Sequence, residues 1–169
     1  MRLPIPLLPM FLAFLGSCGS TQNVVRPPAE AAPMNTTVEG LILVDRSGVQ
    51  HDLGASLAAG KKVALIFWQT WCGSCLEEAP QLAKDAKQWG QDILFLGVIP
   101  GPKGSVDEAA VDQVVAKFGL PYAQVRDTEL ALTKRFEVQG TPTIIVLGVD
   151  GRILFRGHQA PANWGDYVN

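Results

Sequence analysis

The sequence has few residues that can hold a metal ion or form a disulfide. Only three of its 169 residues are cysteine and only two are histidine. Three cysteines are too few for the disulfide framework that stabilises many small secreted domains. Cys72 and Cys75 are separated by two residues, so this pair is catalytic, metal-binding or a single local disulfide.

Charge is also sparse. Charged residues make up 18% of the chain, and the formal net charge is −2. Nucleic-acid-binding domains usually carry a basic surface, so the composition gives no reason to expect nucleic acid as a partner. An apolar fraction of 47% in 169 residues predicts one ordinary globular domain.

The first apolar run is too short to span a bilayer. It covers residues 3–15 after the basic Arg2, whereas a spanning helix needs about 20 residues. A basic start, a short apolar core and small residues at its end indicate an export signal. The sequence LGSC at residues 15–18 resembles the bacterial lipobox. We therefore predict a lipoprotein signal peptide over residues 1–17 and a lipid anchor on Cys18, with an ordinary cleaved signal as the alternative.

The next segment has the composition of a linker. Residues 18–37 are rich in Ser, Thr, Asn, Pro and Ala and show no apolar periodicity, which predicts a flexible tether. The folded domain is accordingly expected over residues 38–169. Export would place its cysteines in an oxidising compartment, where disulfide exchange is common.

The domain alternates apolar runs with amphipathic segments. Short runs at residues 41–44 and 49–53 predict an N-terminal β-hairpin. Further strands are expected at residues 63–68, 93–98, 122–125, 143–147 and 153–155. Helices are expected from Cys72 to Gly90, from a capping box at Ser105 to Gly119, from Asp127 or Thr128 to Phe136, and over residues 162–168. This order predicts an α/β fold with helices on both faces of a central sheet.

The cysteine pair follows a buried strand at the point where a helix begins. A helix N-terminus carries free N–H groups and a partial positive charge. A thiolate on Cys72 is stabilised there, so we expect a lowered pKa for Cys72. Cys75 is close enough in sequence to close a disulfide with Cys72, and such a pair can exchange disulfides with other proteins.

Two other interpretations of the pair stay open at this point. Structural zinc takes four nitrogen or sulfur ligands, commonly as two close pairs, and the sequence has no second close pair, so His51 and His158 would have to contribute. A purely structural disulfide is the second alternative, although closing so short a loop adds little stability. By itself, His158 is interpreted as an ordinary surface residue.

The residues around the pair resemble the thioredoxin superfamily. WCGSC at residues 71–75, together with Phe67-Trp68, Glu78 and Pro80, is similar to the TlpA/ResA-like membrane-tethered thioredoxins of bacteria. The segment VQGTPT at residues 138–143 resembles the cis-proline segment of that group. The resemblance extends to Gly157 and implies a thioredoxin fold, with a central mixed β-sheet flanked by helices and the N-terminal β-hairpin as an extension.

The resemblance also implies a role for each matching residue. Cys72 is the expected exposed nucleophile, Cys75 the partly buried resolving thiol of the redox disulfide, and Glu78 the acid–base group. Pro142 is expected in the cis form against the disulfide, with Thr141 presenting its backbone to a substrate. The remaining substrate contacts are expected from Trp71, Gly73 and Ser74.

The implied activity is that of a protein-disulfide reductase on the periplasmic side of a bacterial membrane. In the group, clients include apocytochromes c before haem attachment, and a membrane thiol transporter of the DsbD/CcdA type supplies electrons. No cofactor or metal is implied, and a monomer is expected. Gln69 and Ser74 depart from the group's usual residues, so the direction of electron flow stays open. A thiol oxidase or isomerase is one alternative, and a copper-binding module is another.

Overall fold

The structure is a computed structural model that describes Val38 and residues 40–168. The expected signal peptide, tether and lipidated Cys18 fall within residues 1–37 and lie outside the described residues. None of the helices in the described range combines the length and hydropathy that a bilayer span requires.

The first element is the expected antiparallel hairpin, formed by β1 (Ile42–Val44) and β2 (Gln50–Asp52). The Asp45 carboxylate organises its turn, because it accepts hydrogen bonds from the backbone N–H groups of Ser47 and Val49. His51 lies 2.8 Å from the other oxygen of the same carboxylate. The hairpin is thus tied together by one carboxylate.

A short helix, α1 (Leu53–Ala58), follows the hairpin directly and was not expected from the sequence. Asp52 caps it by accepting the N–H of Ala55 at 2.9 Å. Leu53 and Leu57 bury their side chains in the core. With only two apolar anchors in six residues, α1 is too short to show helical periodicity in the sequence.

The central sheet has five strands in the order β5-β4-β3-β6-β7. Its strands are β3 (Lys62–Phe67), β4 (Ile93–Pro100), β5 (Ala123–Asp127), β6 (Thr143–Leu147) and β7 (Ile153–Gly157). Strands β3, β4 and β5 are parallel, whereas β6 is antiparallel to both β3 and β7. The sheet is therefore mixed, as expected.

Helices cover both faces of this sheet. They are α2 (Gly73–Trp89), α3 (Glu108–Phe118) and α4 (Ala131–Arg135), followed by a single 3₁₀ turn (Trp164–Tyr167). One core cluster joins α1 and α4 to the sheet, and a second joins α2 and the 3₁₀ turn to its other face. The thioredoxin-like α/β fold predicted from the sequence is confirmed.

Three helices differ from the sequence prediction. The helix expected from Asp127 or Thr128 begins only at Ala131, with Leu130 as its N-cap, although the Asp127 carboxylate accepts the N–H groups of Leu132 and Thr133. The expected start of α3 at Ser105 is wrong, because Asp107 is its N-cap and accepts the N–H groups of Ala109 and Ala110. The expected helix over residues 162–168 is reduced to the 3₁₀ turn. The turn is held by Trp164, whose indole N–H donates to the Asp85 carboxylate at 2.9 Å.

Candidate active site

A disulfide between Cys72 and Cys75 lies at the start of α2. Cys72 is the N-cap residue of this 17-residue helix, so its sulfur occupies the place of a capping oxygen. The backbone N–H of Cys75 points at Cys72 Sγ, with 3.3 Å between nitrogen and sulfur. The helix N-terminus and this N–H group both favour a negative charge on Cys72 once the disulfide is reduced.

Both cysteines are buried in the disulfide state. Cys72 is only 6% exposed and Cys75 is 5% exposed. The expectation that Cys72 is exposed is therefore wrong for this state. The reason is non-local packing, because both residues belong to a cluster with Trp68, Ile99 and Val111 from the adjoining strands and α3.

The surface immediately around the disulfide is nevertheless open. Trp71 is 77% exposed, and Gly73 and Ser74 are also exposed. The Ser74 hydroxyl lies 3.7 Å from Cys72 Sγ. A disulfide sulfur has no proton, so in this state the hydroxyl is the donor. Three neighbours of the buried pair are thus available to another molecule.

The peptide bond between Thr141 and Pro142 is cis. Pro142 is buried and lines a small cavity together with Cys75 and Glu78. Tyr122 lies on the wall of the same cavity, and burial raises its pKa above the ordinary value, so the ring stays uncharged. The expected resolving cysteine, the cis-proline and the expected acid–base residue therefore line the same cavity.

Glu78 reaches from this cavity towards the surface. It lies one helical turn after Cys75 on α2 and is half-buried. Its carboxylate accepts the backbone N–H of Ala160 at 3.4 Å. It also lines an outer groove with Gln81 and Asp85. An ionisable group that borders both Cys75 and solvent can carry a proton between them.

Comparisons with known proteins agree with this geometry. The sequence profile of the Redoxin family matches residues 27–164. The chain belongs to the Redoxin family. It is 26% identical over 150 residues to the thiol-disulfide oxidoreductase ResA of Bacillus subtilis, covering 87% of this chain and 80% of that one. It is 32% identical over 126 residues to ResA of Geobacillus kaustophilus, covering 73% of this chain and 68% of that one.

A solved structure agrees with this result. It is a secreted Mycobacterium tuberculosis disulfide oxidoreductase described as homologous to Escherichia coli DsbE, and it is 27% identical to this chain with a TM-score of 0.60. The superposition covers 74% of this chain and 86% of that one. This redoxin is a ResA-like thiol–disulfide oxidoreductase, whose chemistry requires a cysteine pair such as Cys72 and Cys75.

Sequence reasoning missed the contact that His158 makes in the redoxin domain. The ring is exposed, but its Nδ1–H donates to the carbonyl oxygen of Pro142 at 2.7 Å. The available signal was its position directly after Gly157, which pairs with Ile144 in the strand that follows the cis-proline. The other histidine, His51, lies in the hairpin against Asp45.

Two buried glutamines near the site also carried no clear sequence signal. Gln69 donates from its amide to the carbonyl of Pro100, at the end of β4. Gln124 accepts the indole N–H of Trp68 at 2.9 Å and thereby connects β5 to the chain before the disulfide. Among the described residues, no group of three or more His, Cys, Asp and Glu side chains is placed to hold a metal ion.

Proposed function

We propose that this redoxin is an extracytoplasmic protein-disulfide reductase that acts on exported proteins. The observation that carries the proposal is the Cys72–Cys75 disulfide at the N-terminus of α2, beside the exposed Trp71 and the cis Thr141–Pro142 bond. Export is supported by the apolar run at residues 3–15 and by the secreted character of the similar M. tuberculosis protein. A lipid on Cys18 and the tether over residues 18–37 would keep the domain at a membrane.

The proposed reaction begins with the reduced pair. The Cys72 thiolate attacks one sulfur of a client disulfide, forms a mixed disulfide and releases the other client sulfur as a thiolate, which takes a proton. Glu78 accepts the proton of the Cys75 thiol. The Cys75 thiolate then attacks Cys72 Sγ and releases the second client sulfur as a thiolate, which takes the proton held by Glu78. The client gains two electrons and two protons, and the enzyme ends in the disulfide state described above.

A new cycle needs an external reductant, because the enzyme has then lost two electrons. In this proposal a membrane thiol transporter of the DsbD/CcdA type supplies them by thiol–disulfide exchange. Apocytochrome c, whose haem-binding cysteines must be reduced, is the client class that the ResA resemblance favours. Both partners are part of the proposal and are tested by capture of mixed disulfides.

The deciding experiment uses the full-length Cys75→Ala variant in its native host. The variant can form the mixed disulfide through Cys72 but cannot resolve it, so clients are expected to accumulate as covalent adducts. The matched control is Cys72→Ala, which lacks the attacking sulfur and is expected to give none of these adducts. Exported proteins with cysteine pairs among the adducts would support the proposal, and adducts independent of Cys72 would contradict it.

The direction of electron flow is tested separately by the reduction potential. A reductase is expected to have a potential nearer to that of thioredoxin, about −270 mV, than to that of the oxidant DsbA, about −120 mV. Equilibration with glutathione buffers, followed by gel separation of alkylated forms, gives the value. A potential close to that of DsbA would make the chain an oxidase.

A further inference from the structure

An ion-pair network lies beside the cysteine cluster and takes no part in the reaction described above. Its centre is the carboxylate of Glu108, the first residue of α3. Arg46 donates from Nε to one oxygen of this carboxylate at 2.9 Å, and Arg126 Nε lies 2.8 Å from the other oxygen. One carboxylate is thus held by two guanidinium groups from distant parts of the chain. We call these three residues the Glu108 clamp.

The first arginine ties α3 to the N-terminal hairpin. Arg46 lies in the turn between β1 and β2 and also donates to the Asp112 carboxylate at 2.7 Å and to the backbone carbonyl of Glu108 at 3.1 Å. Its own backbone N–H donates to the carbonyl of Gln124 in β5 at 2.8 Å. The hairpin is therefore bound to β5 through its backbone and to α3 through this side chain.

The second arginine ties α3 to the end of β4. Arg126 lies on β5, and its guanidinium donates to the carbonyl of Ile99 at 2.7 Å and to that of Gly101 at 3.1 Å. The same guanidinium faces Glu108 at the start of α3. The connection between β4 and α3 is therefore fixed at both of its ends by one side chain.

The segments that the clamp holds together also bury the cysteine pair. Ile99 and Val111 are fully buried and belong to the same cluster as Cys72 and Cys75. Val106, in the connection between β4 and α3, packs against that cluster. Val111 lies in the first turn of α3, where the clamp acts. The burial of Cys72 therefore depends on the position of the start of α3.

The burial of Cys72 determines which thiols can reach the disulfide. Disulfide exchange requires a thiolate to approach the attacked sulfur, so its rate depends on access as well as on the pKa of the attacking thiol. A small free thiol forms few contacts that could offset the cost of displacing α3. A protein partner forms many, including contacts with the exposed Trp71.

We propose that the three residues of the Glu108 clamp are positioning residues, which keep α3 over Cys72 and protect the disulfide from small thiols, so that exchange is restricted to protein partners. The inference goes beyond the proposed direction of electron flow, because access to the disulfide matters for a reductase and for an oxidase alike. Through Arg46, it also gives the N-terminal hairpin a role at the reacting sulfur.

The first test measures the reduction of the disulfide by small thiols in the wild type and in Glu108→Gln. One thiolate attacks Cys72 Sγ and releases Cys75 as a thiolate, which takes a proton. A second thiolate attacks the small-molecule sulfur of the mixed disulfide, releases Cys72 and forms the small disulfide. Glutamine keeps the size of the side chain and removes its charge. Because Glu108 is half exposed, each ion pair is weak, and we expect a rate constant about threefold to fivefold higher.

Two thiols of opposite charge separate access from electrostatics. At pH 7 cysteamine is a cation and 3-mercaptopropionate is an anion of similar size. Uncovering Cys72 accelerates both thiols alike, whereas the loss of a negative charge by itself accelerates the anion and slows the cation. The matched control is Glu77→Gln at an exposed position of α2, which is expected to shift the two rates in opposite directions or not at all.

The results that overturn the clamp are distinct from those that overturn the proposed function. Unchanged rates in Glu108→Gln, opposite shifts for the two thiols, or the same joint acceleration in Glu77→Gln would overturn the clamp. Failure of the reduced wild type to reduce insulin would overturn the proposed function and leave the clamp standing.

Variants of Arg126 test the clamp from its other side. Arg126→Met removes the partner of Glu108 and the donors to two carbonyls, so both thiols should react about tenfold faster. Arg126→Lys keeps a positive charge opposite Glu108 and is expected to recover part of the protection. A lysine variant no slower than the methionine variant would show that the ion pair does not protect the disulfide.

Amide hydrogen exchange distinguishes a local role from general stabilisation. The N–H of Val111 donates to the carbonyl of Asp107 at 3.1 Å, so it exchanges when the start of α3 opens. In Glu108→Gln this amide should exchange about threefold to fivefold faster, as the disulfide does with thiols. The amides of the central strand β3 serve as the reference and should be unchanged. Acceleration of β3 by the same factor, or an unchanged Val111 amide, would overturn the positioning role.

Discussion

Glu78→Gln separates the proposed proton-transfer role of Glu78 from its structural role. Glutamine keeps an oxygen that can accept the Ala160 N–H and removes only the ionisable group. The nitrogen–oxygen distance of 3.4 Å is long for a hydrogen bond, so the stability at stake is about 0.5 kcal/mol or less. General acid–base catalysis contributes about 10²–10⁴-fold to a rate. We therefore expect nearly unchanged stability and a resolution step about 100-fold slower.

The assay is a single-turnover reaction between the reduced enzyme and a peptide disulfide. Tryptophan fluorescence follows the mixed disulfide and its resolution, because Trp68 belongs to the same buried cluster as both cysteines. Urea unfolding of the same samples measures the free energy of unfolding. The matched control is Glu77→Gln, which makes the same change at the exposed neighbour and is expected to alter neither quantity.

One result would refute the reasoning about Glu78. If Glu78→Gln resolves the mixed disulfide within about twofold of the wild type from pH 6 to pH 9, the carboxylate carries no proton in this step. A free energy of unfolding lowered by more than about 1 kcal/mol at an unchanged rate would make Glu78 a structural residue. The position of Glu78 beside Cys75 would then serve packing alone.

Three further outcomes are expected. Trp164→Ala removes a buried indole and leaves Asp85 Oδ2 without its donor, while Gln81 still donates to Oδ1. The free energy of unfolding in urea should fall by about 4 kcal/mol. Hydrogen bonding, mainly from the Ser47 hydroxyl, lowers the pKa of Asp45. The wild type should therefore have its full stability advantage over Asp45→Asn above about pH 5. This difference in the free energy of unfolding should decline below about pH 4, as Asp45 becomes protonated. Trp71→Ala should raise the KM for protein disulfides severalfold with little change in stability, because the ring is 77% exposed.

The parts of the fold that sequence predicts best are those with long, continuous patterns. The apolar run of β3 has buried neighbours on both faces, and α2 presents one apolar stripe over 17 residues, so local sequence is sufficient for each. The start of α3 is different, because Ser105 and Asp107 are both good caps within three residues. Only packing against the rest of the protein determines that Asp107, and not Ser105, caps α3.

The candidate site divides in the same way. The spacing of Cys72 and Cys75 and the position of a helix after them predict the chemistry, because both depend on neighbouring residues in the chain. The burial of Cys72 depends on Ile99 and Val111, which come from distant segments. The contact of His158 with Pro142 likewise arises only when β6 and β7 pair. Features of this second kind cannot be derived from a local pattern.

The closing 3₁₀ turn gives the C-terminus of the chain an influence on the reacting centre. The Trp164 indole N–H donates to Asp85 of α2, and residues 158–163 connect this turn to the last strand, β7. A loop that is held at both ends has fewer accessible conformations than a loop with one free end. Shortening the chain before Trp164 would thus remove the contact that fixes the segment beside the cis-proline, although Cys72, Cys75 and Glu78 would still be present.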